Sequence, residues 1–203
     1  MQAIIMAGGK GTRLKPLTDT TPKPLVLLNN KPLIGYLINH LKKNGCDNII
    51  ICAGHLGDKI KEYLERHNFG IQIRLSMEKQ PLGTAGALRL IKNMLENEFF
   101  VLYGDIYTTI NLNRMLQFHK KHKAIITAAI HLSSHPWDSD LVEYDSNFRI
   151  TKILRKPHTQ IPSDPHSLAA LYLANSKIME YWPSITPLDF AQDLLPKLLD
   201  ENL

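Results

Sequence analysis

The chain is expected to fold as an α/β protein, with a mainly parallel sheet covered by helices on both faces and a smaller antiparallel β portion in the C-terminal third. Three observations predict this. Strand-like and helix-like runs alternate through the first two-thirds of the 203 residues, an order that builds a parallel sheet. After Ala124 the pattern changes to short strand-like runs separated by turns. The first strand-like run also empties into a loop rich in glycine and cations, which sets backbone N–H groups and fixed positive charge at a strand's carboxyl end, where polyphosphate binds.

The elements follow in order. Gln2–Ala7 is an apolar strand. The run 32–44 carries Leu33, Ile34, Leu37, Ile38 and Leu41 at helical spacing, with Pro32 suited to its first turn and Gly45 to its end. Asn48–Ala53 is a strand, 58–67 a helix, 71–76 a strand of alternating character, 84–98 a helix, 99–103 a strand and 112–123 a helix. Strands are expected over 124–131, 140–144, 149–154 and 168–173, with a turn at Asp145-Ser146-Asn147. A closing helix is expected over 189–200, interrupted or restarted at Pro196.

Composition narrows the class. Hydrophobic residues make up 44% and charged residues 21%, as in a soluble globular domain. No apolar run approaches the length needed to span a bilayer. Met1 to Ala7 reads as a core strand rather than a leader, so the cytoplasm is the expected location. Cys46 and Cys52 form no ligand-spaced cluster, and Cys52 reads as a buried thiol. The net charge of +5 is dispersed. Its densest run, His119 to Lys123, closes a helix, where cations suit the dipole. Nucleic acid is therefore not an expected partner. The nine histidines show no metal-ligand spacing, and His135 and His158 read as loop residues.

Three phosphate-binding patterns compete for the first loop. A Walker loop needs Ser or Thr after its lysine, but Lys10 is followed by Gly11. The dinucleotide fingerprint needs a third glycine where Leu14 stands. The third pattern fits. Met6-Ala7-Gly8-Gly9-Lys10-Gly11-Thr12-Arg13-Leu14, then Pro16-Leu17-Thr18, then Pro22-Lys23-Pro24-Leu25 resembles the opening of the sugar-phosphate nucleotidyltransferases. Downstream, Glu78 to Ala87 (EKQPLGTAGA), Gly104-Asp105 and Lys156-Pro157 resemble later motifs of that family, in family order.

The resemblance implies a GT-A-like (Rossmann-like) fold, Mg²⁺ dependence, and condensation of a nucleoside triphosphate with a sugar 1-phosphate. It implies one domain over 1–203, with 1–123 as nucleotide-binding core and 124–203 as the sugar-phosphate-binding portion. Ala7, Gly8, Gly9, Gly11, Thr12, Arg13, Gly83 and Thr84 are the expected nucleotide-binding residues. Arg13 and Lys23 are the expected catalytic residues, Lys23 and Lys156 are expected at the sugar phosphate, and Asp105 at the metal. Residue chemistry agrees: Arg13 offers a planar fork for phosphate oxygens and Lys23 a point charge between two phosphates. Asp105 directly follows an apolar strand, where it can hold Mg²⁺, although an aspartate there also serves as a turn cap. Glu78 reads equally as a surface carboxylate and is not counted among the catalytic residues. No membrane partner is implied, and self-association into a homo-oligomer is left open.

Departures from the pattern bear on specificity. Arg155 stands where the family carries a glutamate, and Leu168 to Tyr172 (LAALY) where it carries N-x-G-(I/V)-Y. The stretch His135 to Glu143, the LAALY run and Asp189-Phe190 resemble the branch that handles mannose- or heptose-type 1-phosphates with GTP. UTP, dTTP or CTP with another hexose phosphate is the alternative, and a non-catalytic, nucleotide-sugar-binding regulatory relative is a third. The family's second metal-binding aspartate, in a W/Y-x-x-D segment, has no counterpart among these residues. Asp189 and Asp193 are poor substitutes, so truncation or divergence is expected.

Overall fold

The computed structural model describes residues 1–184 and 187–201. In chain order, β1 (Gln2–Ala7) leads through the glycine loop to a short helix, α1 (Leu17–Thr20), and a hairpin of β2 (Leu27–Leu28) and β3 (Lys31–Pro32). There follow α2 (Leu33–Lys43), β4 (Asn48–Ala53), α3 (Gly57–Glu65), β5 (Gln72–Met77), α4 (Gly83–Gly86) and β6 (Glu98–Tyr103). The remainder comprises α5 (Leu112–His122), β7 (Ile126–Leu132), β8 (Leu141–Tyr144), β9 (Ile150–Leu154), β10 (His166–Asn175) and α6 (Leu195–Asp200).

Among the described residues, eight strands form one sheet in the order β5-β4-β1-β6-β10-β8-β9, with β7 on β10. The first four are parallel. All pairings of β10 and the β8–β9 pair are antiparallel. The expected mainly parallel α/β architecture with an antiparallel C-terminal portion is thus present.

Strand alternation divides the core between two faces. Ala3, Ile5, Ile49, Ile51, Phe100 and Leu102 pack with Leu37, Ile38 and Leu41 of α2 and with Ile60 and Met115. Ile4, Ile50, Phe99, Val101 and Tyr172 point the other way, onto Leu88, Ile91, Phe190, Leu194 and Leu198. Each fully buried Ile, Leu, Val or Phe side chain among them contributes about 1.5–3 kcal/mol.

Two expected elements differ. The expected helix over 84–98 is one α-turn, α4, followed by a 3-10 run, Ala87–Met94. The N–H groups of Ala85 and Gly86 turn to the carbonyl of Leu188, a partner far along the chain. The expected helix over 189–200 starts with Asp189 as its cap and a π-helical stretch, Phe190–Leu194, before α6, with Pro196 in the first turn of α6.

One irregularity shapes the molecule. β10 pairs with β6 through Leu171 to Asn175 and with β8 through His166 and Ser167. Its pairing with β7 slips between Leu168 and Tyr172, where Ala170 takes a positive φ of 53°. Beyond the carboxyl end of β6, β10 thus takes β8 as its neighbour.

Candidate active site

The carboxyl ends of β1, β4 and β5 lie side by side, because Ala7 pairs with Ala53 and Ala53 with Met77. The next residues, Gly8, Gly54 and Glu78, therefore form a row at the rim. The glycine loop crosses above it. Gly11 sits at φ 62°, and its carbonyl accepts from Leu14 N–H at 2.9 Å and from the buried Thr18 hydroxyl at 2.9 Å. These bonds fold the loop into the 3-10 turn Thr12–Leu14, which presents Arg13 to solvent.

Proline packing delivers the lysine. Pro22 precedes a 3-10 turn, Lys23–Leu25, closed by Leu25 N–H on the Pro22 carbonyl at 2.8 Å. Pro24 is buried against Gly104, where an added Cβ would lie 3.0 Å from the Pro24 Cγ. Gly104 N–H in turn donates to the Met6 carbonyl at 2.8 Å. This seating brings Lys23 Nζ to 2.5 Å from Asp105 Oδ2, with both side chains about 30% exposed (28% and 31%). A pair this accessible adds only about 0–1 kcal/mol to stability. Its significance is chemical: it holds a cation and a carboxylate together at the carboxyl end of the central strands.

The cleft is about 790 Å³. Of the sequence-predicted residues, Ala7, Gly8, Gly9, Gly11, Thr12, Arg13, Lys23, Gly83, Thr84 and Asp105 line it. Lys10 and Lys79 add further cations to its walls. Lys156 is not among its lining residues: its ammonium donates to the Asp138 carbonyl at 2.7 Å and its N–H to Asp140 Oδ1 at 3.2 Å. Thr84 contributes to the wall, but its hydroxyl is occupied, donating to Asp189 Oδ2 at 2.8 Å and accepting from Phe190 N–H at 2.9 Å.

Glu78, which the sequence left equally open as a surface carboxylate, lines the cleft. Its carboxylate fills the space where side chains on Gly8 or Gly54 would stand, and Oε2 accepts from Leu82 N–H at 3.2 Å. Burial pushes its pKa up, partly opposed by that N–H. Its signal was the strand alignment: one carboxylate after β5, opposite two glycines after β1 and β4. Tyr103 closes the floor, its phenol kept protonated chiefly by burial.

The donor set bears on a metal. Among the described residues no group of three His, Cys, Asp or Glu could hold an ion. Asp189 Oδ1 accepts from Ala191 and Gln192 N–H, both at 2.9 Å, and Oδ2 from Thr84, so this carboxylate is engaged in capping. Two carboxylates, Asp105 and Glu78, line the cleft, and Asp105 fits Mg²⁺, which takes few protein ligands and completes its shell with phosphate oxygens and water. It does not fit an all-protein cage.

In open α/β sheets ligands bind at the carboxyl ends of the strands, where this cleft lies. A family model described as nucleotidyl transferase matches residues 2–203, and the chain belongs to that family. It is 31% identical to a UTP–glucose-1-phosphate uridylyltransferase from Synechocystis sp., over 100% of this chain and 56% of the relative. Over 115 residues it is 41% identical to a D-glycero-alpha-D-manno-heptose 1-phosphate guanylyltransferase from Campylobacter jejuni, covering 57% of this chain and 52% of the relative. The chain spans little more than half the length of the curated relatives that match it from end to end, such as the uridylyltransferase. A crystal structure of HddC from Yersinia pseudotuberculosis complexed with GMP-PN superposes with a TM-score of 0.80 at 25% identity, covering 97% of this chain and 85% of that one.

Proposed function

We propose that the chain carries the catalytic centre of a sugar-1-phosphate nucleotidyltransferase, joining a nucleoside triphosphate and a sugar 1-phosphate into a nucleotide sugar and pyrophosphate. The observation that supports this reading is the meeting of the glycine loop, Lys23 and Asp105 in one cleft. A sugar-phosphate oxygen attacks the α-phosphorus in line. The new O–P bond forms as the bond to the β-phosphate oxygen breaks, and pyrophosphate leaves. No general base is required, since the second pKa of the sugar phosphate is about 6. The barrier is repulsion between anions, which fixed cations and geometry lower.

Backbone N–H groups of residues 7–12 cradle the phosphates, with Gly83 and Thr84 as the opposite wall. Arg13 takes the β- and γ-phosphate oxygens. Lys23 bridges the α-phosphate and the sugar phosphate. Lys156 joins at the sugar phosphate once its ammonium leaves the Asp138 carbonyl. Asp105 would hold Mg²⁺, which when bound supplies positive charge to phosphate oxygens.

The favoured nucleotide is GTP. Glu78 accepts hydrogen bonds only, and guanine alone among the bases presents two adjacent donors on its pairing edge. Uracil and thymine flank one donor with carbonyls that repel a carboxylate. The favoured sugar is of mannose or heptose type, by resemblance to that branch. The buried thiols of Cys46 and Cys52 suit a reducing compartment, and we take the cytoplasm as the location. Among the described residues no helix is long and apolar enough to cross a membrane.

A panel of nucleoside triphosphates with sugar 1-phosphates, read by pyrophosphate release with Mg²⁺, tests the reading. GTP with a manno-configured phosphate is expected to turn over fastest. Turnover with UTP, dTTP or CTP alone would overturn the base assignment. Nucleotide binding without turnover on any pair would favour a regulatory role.

A further inference from the structure

The wall that carries Gly83 and Thr84 does not stand by itself. The segment Leu188 to Asp193, about a hundred residues further along the chain, is laced to it in both directions. The Leu188 carbonyl accepts from Ala85 N–H at 2.8 Å and Gly86 N–H at 3.2 Å, and Leu188 N–H donates to the Leu82 carbonyl at 2.8 Å. Gly83 holds φ 85° directly against Leu188, where any Cβ would overlap the backbone. The Asp189 carboxylate completes the lacing. Oδ1 caps the following turn and Oδ2 takes the Thr84 hydroxyl, while Asp189 N–H donates to Asp193 Oδ2 at 2.7 Å. Phe190 stacks on the buried Tyr172 with ring centroids 4.6 Å apart, anchoring the segment to the sheet.

We infer that Asp189 is a positioning residue for the nucleotide: through Thr84 it fixes the height of the Gly83–Thr84 turn in the cleft. The inference rests on the nucleotide reading above. A hydroxyl already donating to a carboxylate and accepting from a backbone N–H has little capacity left for a ligand. Its job in this geometry is to tie the turn to a cap. Asp189 touches no cleft surface itself and acts on binding only through that tie.

The test uses Asp189→Ser, Thr84→Val, the double variant and Thr84→Ser. Serine at 189 keeps a capping oxygen but is too short to cap and reach Thr84 together. GTP affinity by equilibrium titration, and KM for each substrate against kcat, are measured on the full chain, with a thermal melt to verify folding. Each single variant is expected to weaken GTP binding and raise its KM about tenfold, the scale of a lost charge-assisted hydrogen bond. The KM for sugar phosphate and kcat should stay within about twofold. The double variant should be no worse than either single one, and Thr84→Ser should restore wild-type binding. Wild-type affinity in Asp189→Ser, additive losses in the double variant, or equal losses in kcat and both KM values would overturn the inference. If Asp189→Ser fails to fold, the near-isosteric Thr84→Val with its Thr84→Ser rescue decides. A wild-type chain that binds no nucleotide would bring down the nucleotide reading and this inference with it, whereas a binding wild type with unaffected variants brings down the inference alone.

Discussion

In the proposed reaction Lys23 acts on the phosphates and Glu78 on the base. Replacing Lys23 by Ala is expected to lower pyrophosphate release by about 10²–10³-fold, the scale of losing one charge-stabilising group. The melt should move little, because the ion pair to Asp105 is accessible and of low net value. Glu78→Gln should weaken GTP binding about tenfold or more and narrow the margin over UTP. The pH dependence follows from the raised pKa of Glu78. In the proposed pose its ionised form accepts the guanine donors, so GTP affinity is expected to fall as pH drops through that pKa, and this dependence should vanish in Glu78→Gln. Stability without nucleotide runs the other way. A carboxyl whose pKa is higher folded than unfolded favours the fold when protonated, and that contribution is lost as pH rises through the folded value. The glutamine variant should thus melt slightly higher at neutral pH. The meeting of Lys23, Arg13 and Asp105 in one cleft was legible in the sequence because motif spacing carries them. Glu78 heads the EKQPLGTAGA motif, but its place opposite Gly8 and Gly54 was not legible, because it depends on which strand ends lie abreast, a fact of register that local pattern does not hold.

At the scale of elements, glycines mark where two segments must touch. Gly83→Ala is expected to cost at least about 1–3 kcal/mol from the positive φ alone, with the overlap on Leu188 added. A lowered Tm together with weaker GTP binding would be the outcome. The strands β1, β4, β5 and β6 were legible to within a residue, since apolar runs fix β1, β4 and β6 and alternation fixes β5. The expected helix over 84–98 was not. Leu88 and Ile91 are three apart and suit α and 3-10 geometry alike, and the deciding hydrogen bonds go to Leu188. The closing helix was legible in extent, but its π-helical opening was not, because the Asp189 cap and its tie to Thr84 act from outside the segment.

Across the whole molecule, one sheet joins two kinds of pairing. Its parallel half carries the glycine loop after β1 and Asp105 beyond β6, and its antiparallel half extends it through β10, β8 and β9. The second helical face is held by Phe190, fully buried between Tyr172 and Trp182. Phe190→Ala should cost about 3–5 kcal/mol, read by denaturant unfolding, and loosen the C-terminal layer from the cleft wall. The two-part division was legible from the change of pattern after Ala124. The switch of β10 from β6 to β8 was not, since both halves of that strand are similarly apolar.

The central seat of β1 also affects how the molecule is made. The opening strand can be paired on both sides only after Tyr103 has left the ribosome, because its neighbours are β4 and β6. Until then Ala3, Ile4 and Ile5, which end fully buried, stay unpaired on one side of a growing polypeptide. That interval is when the nascent chain offers an extended apolar segment to chaperones or to its neighbours on a polysome.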